Sequence, residues 1–201
     1  ITVKYRLAPE HVYPAAIDDC YATWMTVQKY AQDLGIDPEK ISIGGASAGG
    51  GLAATLALRI RDEGGVQPVG QLLVYPMLDD RTTLRTDIDP KKHFVWNNKS
   101  NRTGWQSYLG EHFGAETLPD YAAASRHEDL RSLPPTWIGV GSLDLFYDED
   151  LEYAKRLRAS DVPTVLEIIE GGYHGFDEID ADSPVSKTFM KKMLDFLRPL
   201  T

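Results

Sequence analysis

The chain has one cysteine in 201 residues, so no intrachain disulfide can form. That scarcity fits a reducing compartment, and the cytoplasm is the expected location. Positive charge is also short: 21 Lys and Arg against 30 Asp and Glu leave a formal charge of −9. Sequence-independent nucleic-acid binders need a basic surface to displace counterions, so a nucleic-acid partner is not expected. No apolar run is long enough to cross a bilayer, so no membrane span is expected. The first residues are Ile-Thr-Val-Lys-Tyr, with no Met and no leader pattern. This opening in mid-strand is what a truncated or processed product would show.

What remains is an ordinary globular composition, 42% apolar, enough to bury one sizeable core. A single domain over residues 1–201 is expected. Residues 1–6 alternate β-branched and aromatic types as a strand does, until Leu7-Ala8-Pro9 breaks the pattern. Pro14 can open a helix whose apolar face runs Ile17, Tyr21, Trp24, Gln28 and Ala31 and stops at Gly35. Cys20 falls inside that pattern and reads as a small core residue rather than a nucleophile. Further strands are expected at Lys40–Ile43, Gln71–Tyr75, Thr136–Val140 and Thr164–Ile169. Helices are expected over Leu52–Ile60, over about Asp148–Ser160, and from Ser183-Pro184 onward. Asp148 reads as the cap of the middle one. Between about 79 and 131 the pattern is irregular and polar, and a stretch that long is usually functional. Two glycosylation-like triplets there, at Asn98 and Asn101, read as solvated loop. Strands and helices in alternation, the strands almost continuously apolar, mean a mostly parallel sheet with helices on both faces.

The chemistry concentrates at Gly45-Ala46-Ser47-Ala48-Gly49. This G-x-S-x-G sits directly after a strand and directly before a buried helix. That is the setting a nucleophile elbow requires, a turn so sharp that its neighbours must be tiny. Every position from Gly44 to Gly51 other than Ser47 is Gly or Ala. The N–H of Ala48, at the helix start, would donate to a developing oxyanion. Two competing readings fail. Gly49-Gly50-Gly51-Leu52-Ala53-Ala54 fits a dinucleotide fingerprint but lacks the acid that should end a strand about 20 residues on. A P-loop would need a Lys that is absent.

A serine hydroxyl needs a base, and the base an orienting acid. In this kind of fold the chain order is Ser, acid, His. Asp144 follows the strand at Thr136–Val140 and His174 follows the strand at Thr164–Ile169, so both fall where the order demands. Asp177 lies too close to His174 to be the first choice of acid. His11, His93, His112 and His127 follow no core strand and read as loop or surface residues.

Further motifs agree. Tyr5-Arg6-Leu7-Ala8-Pro9-Glu10, Tyr13-Pro14-Ala15-Ala16 and Asp19 resemble the signature of the hormone-sensitive-lipase-like (family IV) esterases. So do Gly45-x-Ser47-Ala48-Gly49-Gly50, Asp144-x-x-x-Asp148-Glu149, Tyr153-Ala154-x-x-Leu157 and His174-Gly175-Phe176. The resemblance implies an α/β-hydrolase fold with its N-terminal strands and cap missing. It implies the same triad and a carboxylic ester hydrolase acting on small or short-acyl esters, with neither cofactor nor metal. Two departures stand out. The family commonly has an acid where Ala46 stands. It also carries a His-Gly-Gly-Gly oxyanion loop upstream of Tyr5, and the strand leading to that loop lies between residues 1–6 and the strand at Ile41. A vacant sheet position leaves unpaired edges through which copies of the chain could associate. The alternative to an active esterase is a truncated or non-catalytic hydrolase-like binding protein.

Overall fold

A computed structural model describes residues 1–89 and 92–200. Four strands form one parallel sheet in sequence order: β1 (Ser42–Ala46), β2 (Gly70–Val74), β3 (Thr136–Gly141) and β4 (Thr164–Ile169). The α-helices around them are α1 (Ala15–Lys29) before the first strand, α2 (Ala48–Glu63), α3 (Asn98–Leu109) and α4 (Tyr147–Ala159) between strands, and α5 (Phe176–Ile179) and α6 (Pro184–Leu197) after the last. β3 is buried along its whole length, which is why Thr136–Gly141 reads as an unbroken apolar run. Side chains alternate between two packed layers. Leu73 and Ile138 meet Ala54, Leu58, Tyr153 and Leu157 of α2 and α4. Val74 and Trp137 meet Phe189 of α6 and Phe176 of α5 on the opposite face. α1 lays Ile17, Cys20 and Trp24 against Leu52, Leu56 and Ile60 of α2, so Cys20 is a buried core residue with a free thiol.

Four expectations need correction. Residues 1–6 are not a strand. Val3 and Tyr5 do pack against the α1–α2 cluster, but a strand is defined by a bonded neighbour, and among the described residues β1 bonds only to β2. The backbone N–H of Arg6 goes instead to the Asp19 carboxylate, which the same arginine's guanidinium also grips. The second correction concerns β1, which does not stop at Ile43 but runs through Gly44 and Gly45 to Ala46, paired with Leu72, Leu73 and Val74. Small residues there read as turn, yet they are extended because the next element packs directly onto them.

The third lies in the insert. Residues 98–109 form a 12-residue helix, capped by the Asn97 side chain, which accepts from the N–H groups of Lys99 and Ser100. Its buried face is Asn101, Trp105 and Leu109, one residue per turn, too sparse a stripe to show through the polar composition. Asn98 and Asn101 are therefore helical, and Asn101 is fully buried. Finally, Asp148 does not cap α4. Phe146 holds that position, and Asp148 sits in the first turn, paired with Arg85 at 2.5 Å.

Packing is tight at the β1–α2 turn. A Cβ on Gly51 would lie 2.1 Å from the Met77 carbonyl oxygen, whereas a Cβ on Gly49 would meet nothing within 4 Å. Gly51→Ala is expected to destabilise the fold by roughly 1–3 kcal/mol through overpacking, and Gly49→Ala not at all. Thermal unfolding of the two variants checks this, and equal midpoints would contradict the packing described.

Candidate active site

The turn after β1 puts Ser47 at φ 55° and ψ −120°, a region that side-chain-bearing residues rarely occupy. Such strain costs about 1–3 kcal/mol and survives only where the surroundings fix it. Here the Ser47 N–H donates to the Val74 carbonyl at 2.9 Å, and the Ser47 carbonyl accepts from the Gly51 and Met77 N–H groups at 3.0 Å. Gly45 and Gly49 lie so close that a Cβ on Gly45 would fall 2.4 Å from the Gly49 backbone. The turn therefore projects the Ser47 hydroxyl beyond the end of the sheet, at the start of α2. The Ala48 N–H belongs to the first turn of that helix, where helical geometry supplies no partner.

The three residues singled out from chain order meet there. His174 Nε2 is 2.9 Å from Ser47 Oγ, and His174 Nδ1 is 2.9 Å from Asp144 Oδ2. Asp144 and His174 are buried, and Ser47 is half-buried. The other Asp144 oxygen, Oδ1, accepts from the Phe146 N–H at 2.9 Å. With the imidazole proton on Nδ1, that nitrogen donates to Asp144 and leaves Nε2 to accept from the serine hydroxyl. Asp177 is elsewhere: it accepts from the Tyr75 hydroxyl at 3.0 Å. Among the other histidines, His127 is stacked on Tyr121 and accepts that residue's N–H at 3.3 Å, and His93 lies 3.3 Å from the Leu143 carbonyl.

Several neighbours were not singled out from sequence. The His174 ring is caged by Tyr75 and Phe146, edge-on at 4.8 and 5.2 Å, and by Trp96 at 6.2 Å. Tyr75 follows β2 in a positive-φ conformation, and burial, with the Asp177 carboxylate second, holds its hydroxyl well above the usual tyrosine range. The available signal was positional: Tyr75 and Phe146 follow strand ends on the same sheet edge as Ser47 and His174. Ser47 opens into a cavity of about 700 Å³ walled by Leu52, Met77, Trp96, Trp105 and Tyr108. Its size and apolar walls suit a small organic ligand.

Behind Asp144 lie two more acids. Glu149 is buried, and its carboxyl is pushed up to about 8 by desolvation, partly offset by the donors it accepts from. Asp150 is fully buried, and neither of its oxygens has a hydrogen-bond partner among the described residues. Burial raises its pKa well above 3.8, and the Glu149 and Asp144 charges raise it further.

Comparison with known proteins places this geometry in a family. A family profile described as the α/β hydrolase fold matches residues 1–178, and the chain belongs to that family. It is 35% identical over 176 residues to Esterase LipI of Mycobacterium tuberculosis, covering 88% of this chain and 55% of that protein. The structure superposes on a bacterial heroin esterase with a TM-score of 0.91 at 39% identity, over 98% of this chain and 62% of the other. Esterase LipW from Mycobacterium marinum gives 0.87 at 33% identity, over 98% and 61%. The chain thus spans little more than half the length of the curated relatives it matches. The hormone-sensitive-lipase-like resemblance read from the motifs agrees with these matches. No helix among the described residues is long and apolar enough to cross a membrane.

The buried acids carry a pH prediction. A carboxyl whose folded-state pKa is raised contributes stability that is complete below its unfolded value, here 3.8, and is lost as pH rises toward the folded value. Asp150→Asn removes that loss. The melting temperature of Asp150→Asn relative to the unsubstituted protein is expected to increase between pH 5 and pH 9. A difference that stays flat or reverses would show that Asp150 is not the neutral buried acid described.

Proposed function

We propose that this chain carries the catalytic machinery of a serine carboxylesterase that hydrolyses small or short-acyl esters through an acyl-enzyme. The observation that supports this best is the unbroken contact series from Ser47 Oγ through His174 to Asp144, both links at 2.9 Å. As Ser47 Oγ attacks the ester carbonyl carbon, its proton passes to His174 Nε2. The carbonyl π electrons move to the oxygen, which the Ala48 N–H at the start of α2 helps to hold. The tetrahedral centre collapses, the ester C–O bond breaks, and the alcohol leaves with the proton from Nε2. Water then attacks the acyl carbon and gives a proton to Nε2; the bond from that carbon to Ser47 Oγ breaks, the carboxylic acid leaves, and Nε2 returns the proton to Oγ. Asp144 keeps the imidazole in the tautomer that both halves need. The apolar cavity beside Ser47 takes the hydrocarbon part of the substrate. The series requires no metal or organic cofactor.

Hydrolysis of aryl acetate and butyrate esters, together with labelling by a fluorophosphonate probe, tests this. Ser47→Ala is expected to abolish both. Asp144→Asn is expected to lower kcat on the order of 10⁴-fold with little change in KM, because it disturbs the tautomer rather than the binding cavity. Retention of turnover or labelling by Ser47→Ala would refute the mechanism.

A further inference from the structure

Glu149 lies in the first turn of α4, five residues after Asp144, and touches none of the triad atoms. It is nonetheless a buried carboxyl with three donors and, among the described residues, no salt-bridge partner. Its Oε1 accepts from the N–H of Leu78 at 2.8 Å and of Asp79 at 3.2 Å, and its Oε2 accepts from the Thr82 hydroxyl. All three donors belong to one segment, the loop after β2 and the short 3-10 turn that follows it at Asp80–Leu84.

That segment is also attached to the elbow. Met77, next to Leu78, donates its N–H to the Ser47 carbonyl, and its own carbonyl is pressed against Gly51 of α2. On the α4 side, the Asp150 N–H donates to the Phe146 carbonyl at 2.9 Å, and the Phe146 N–H donates to Asp144 Oδ1. The nucleophile and the acid sit on different strand-end loops with no bond of their own between them. Glu149 joins the supports of both.

We propose that Glu149 is a positioning residue for the triad: its carboxyl fastens the start of α4, and thereby the Asp144 loop, to the Met77 loop that holds the Ser47 carbonyl. The role rests on the esterase reading for its catalytic consequence, but the geometry it enforces exists without turnover. A mere filler would be apolar. A buried acid is expensive unless its bonds are needed, and without it three donors would lie buried and unpaired.

The test compares Glu149→Ala with Glu149→Gln in the full chain. Glutamine keeps an oxygen for the two backbone donors and can donate to Thr82; alanine keeps none. The first readout is the rate at which the fluorophosphonate probe labels Ser47, which does not depend on ester specificity. Glu149→Ala is expected to label about 10–100-fold more slowly, in line with what a displacement near 1 Å costs, and Glu149→Gln to restore most of the rate. The second readout is the far-downfield proton resonance of His174 Nδ1–H bonded to Asp144, expected to vanish in Glu149→Ala and persist in Glu149→Gln. A folded Glu149→Ala protein with the original labelling rate and resonance would overturn the proposal. Should Glu149→Ala not fold, Thr82→Val removes one bond to the same carboxyl. Slower labelling by that variant supports the role, and an unchanged rate overturns it. An unsubstituted protein that takes no label defeats the esterase reading, and the resonance alone then decides the positioning role.

Discussion

The closeness of β1 to α2 governs the site. At Gly45 the strand approaches the Gly49 backbone of the helix until no side chain fits on the strand, and Ser47 is forced into an unfavourable backbone conformation at the join. Relaxing that contact would let Ser47 return to an ordinary φ, and its hydroxyl would turn away from His174. The strain is sustained because both Ser47 backbone groups are bonded to rigid neighbours, Val74 at the end of β2 and Met77 just beyond it. Tyr75 lies between those two residues and walls the His174 ring, so one sheet edge supplies the supports of the Ser47 turn and the surroundings of His174 together.

The aromatic cage explains how a histidine on a loop is held. His174 follows β4 and precedes Gly175, which adopts φ 73°. Edge-on contacts from Tyr75 and Phe146 fix its plane, and such pairs add about 0.5–1.5 kcal/mol beyond the area they bury. Trp96 closes the remaining side and belongs to the insert rather than to the core. The insert therefore contributes to the site directly, through Trp96 and through the α3 face that walls the cavity.

What the sequence made legible were the features with a short repeat or a rigid spacing. β2, β3 and β4 were visible as apolar runs within a residue of their ends, and the Ser47, Asp144 and His174 positions followed from strand order, since parallel strands bring their ends to one edge. What stayed hidden depended on partners far along the chain. Residues 1–6 have strand composition, but hydrogen bonding across a sheet is not a property of one segment. α3 is stabilised by a single buried residue per turn, and the polar majority of its sequence outweighs them in any pattern. The cap of α4 looked like Asp148 because acids favour that position, yet the bond that matters there is the one Phe146 makes to Asp144, and a phenylalanine carries no capping signal. Glu149 and Asp150 could be seen as first-turn acids suited to the helix dipole. Their burial, which gives them their significance, could not.

Those three acids, at 144, 149 and 150, pose an electrostatic problem that the hydrogen bonds resolve. All are buried, and the Glu149 and Asp144 charges disfavour a further charge on Asp150. Donors stabilise a carboxylate, and they are unevenly shared. Asp144 has the imidazole Nδ1 and the Phe146 N–H, Glu149 has two amides and a hydroxyl, and Asp150 has none among the described residues. Burial raises both Asp150 and Glu149, and the donors to Glu149 partly offset it there. Holding Asp150 neutral removes a like charge from beside the Asp144 carboxyl that touches His174.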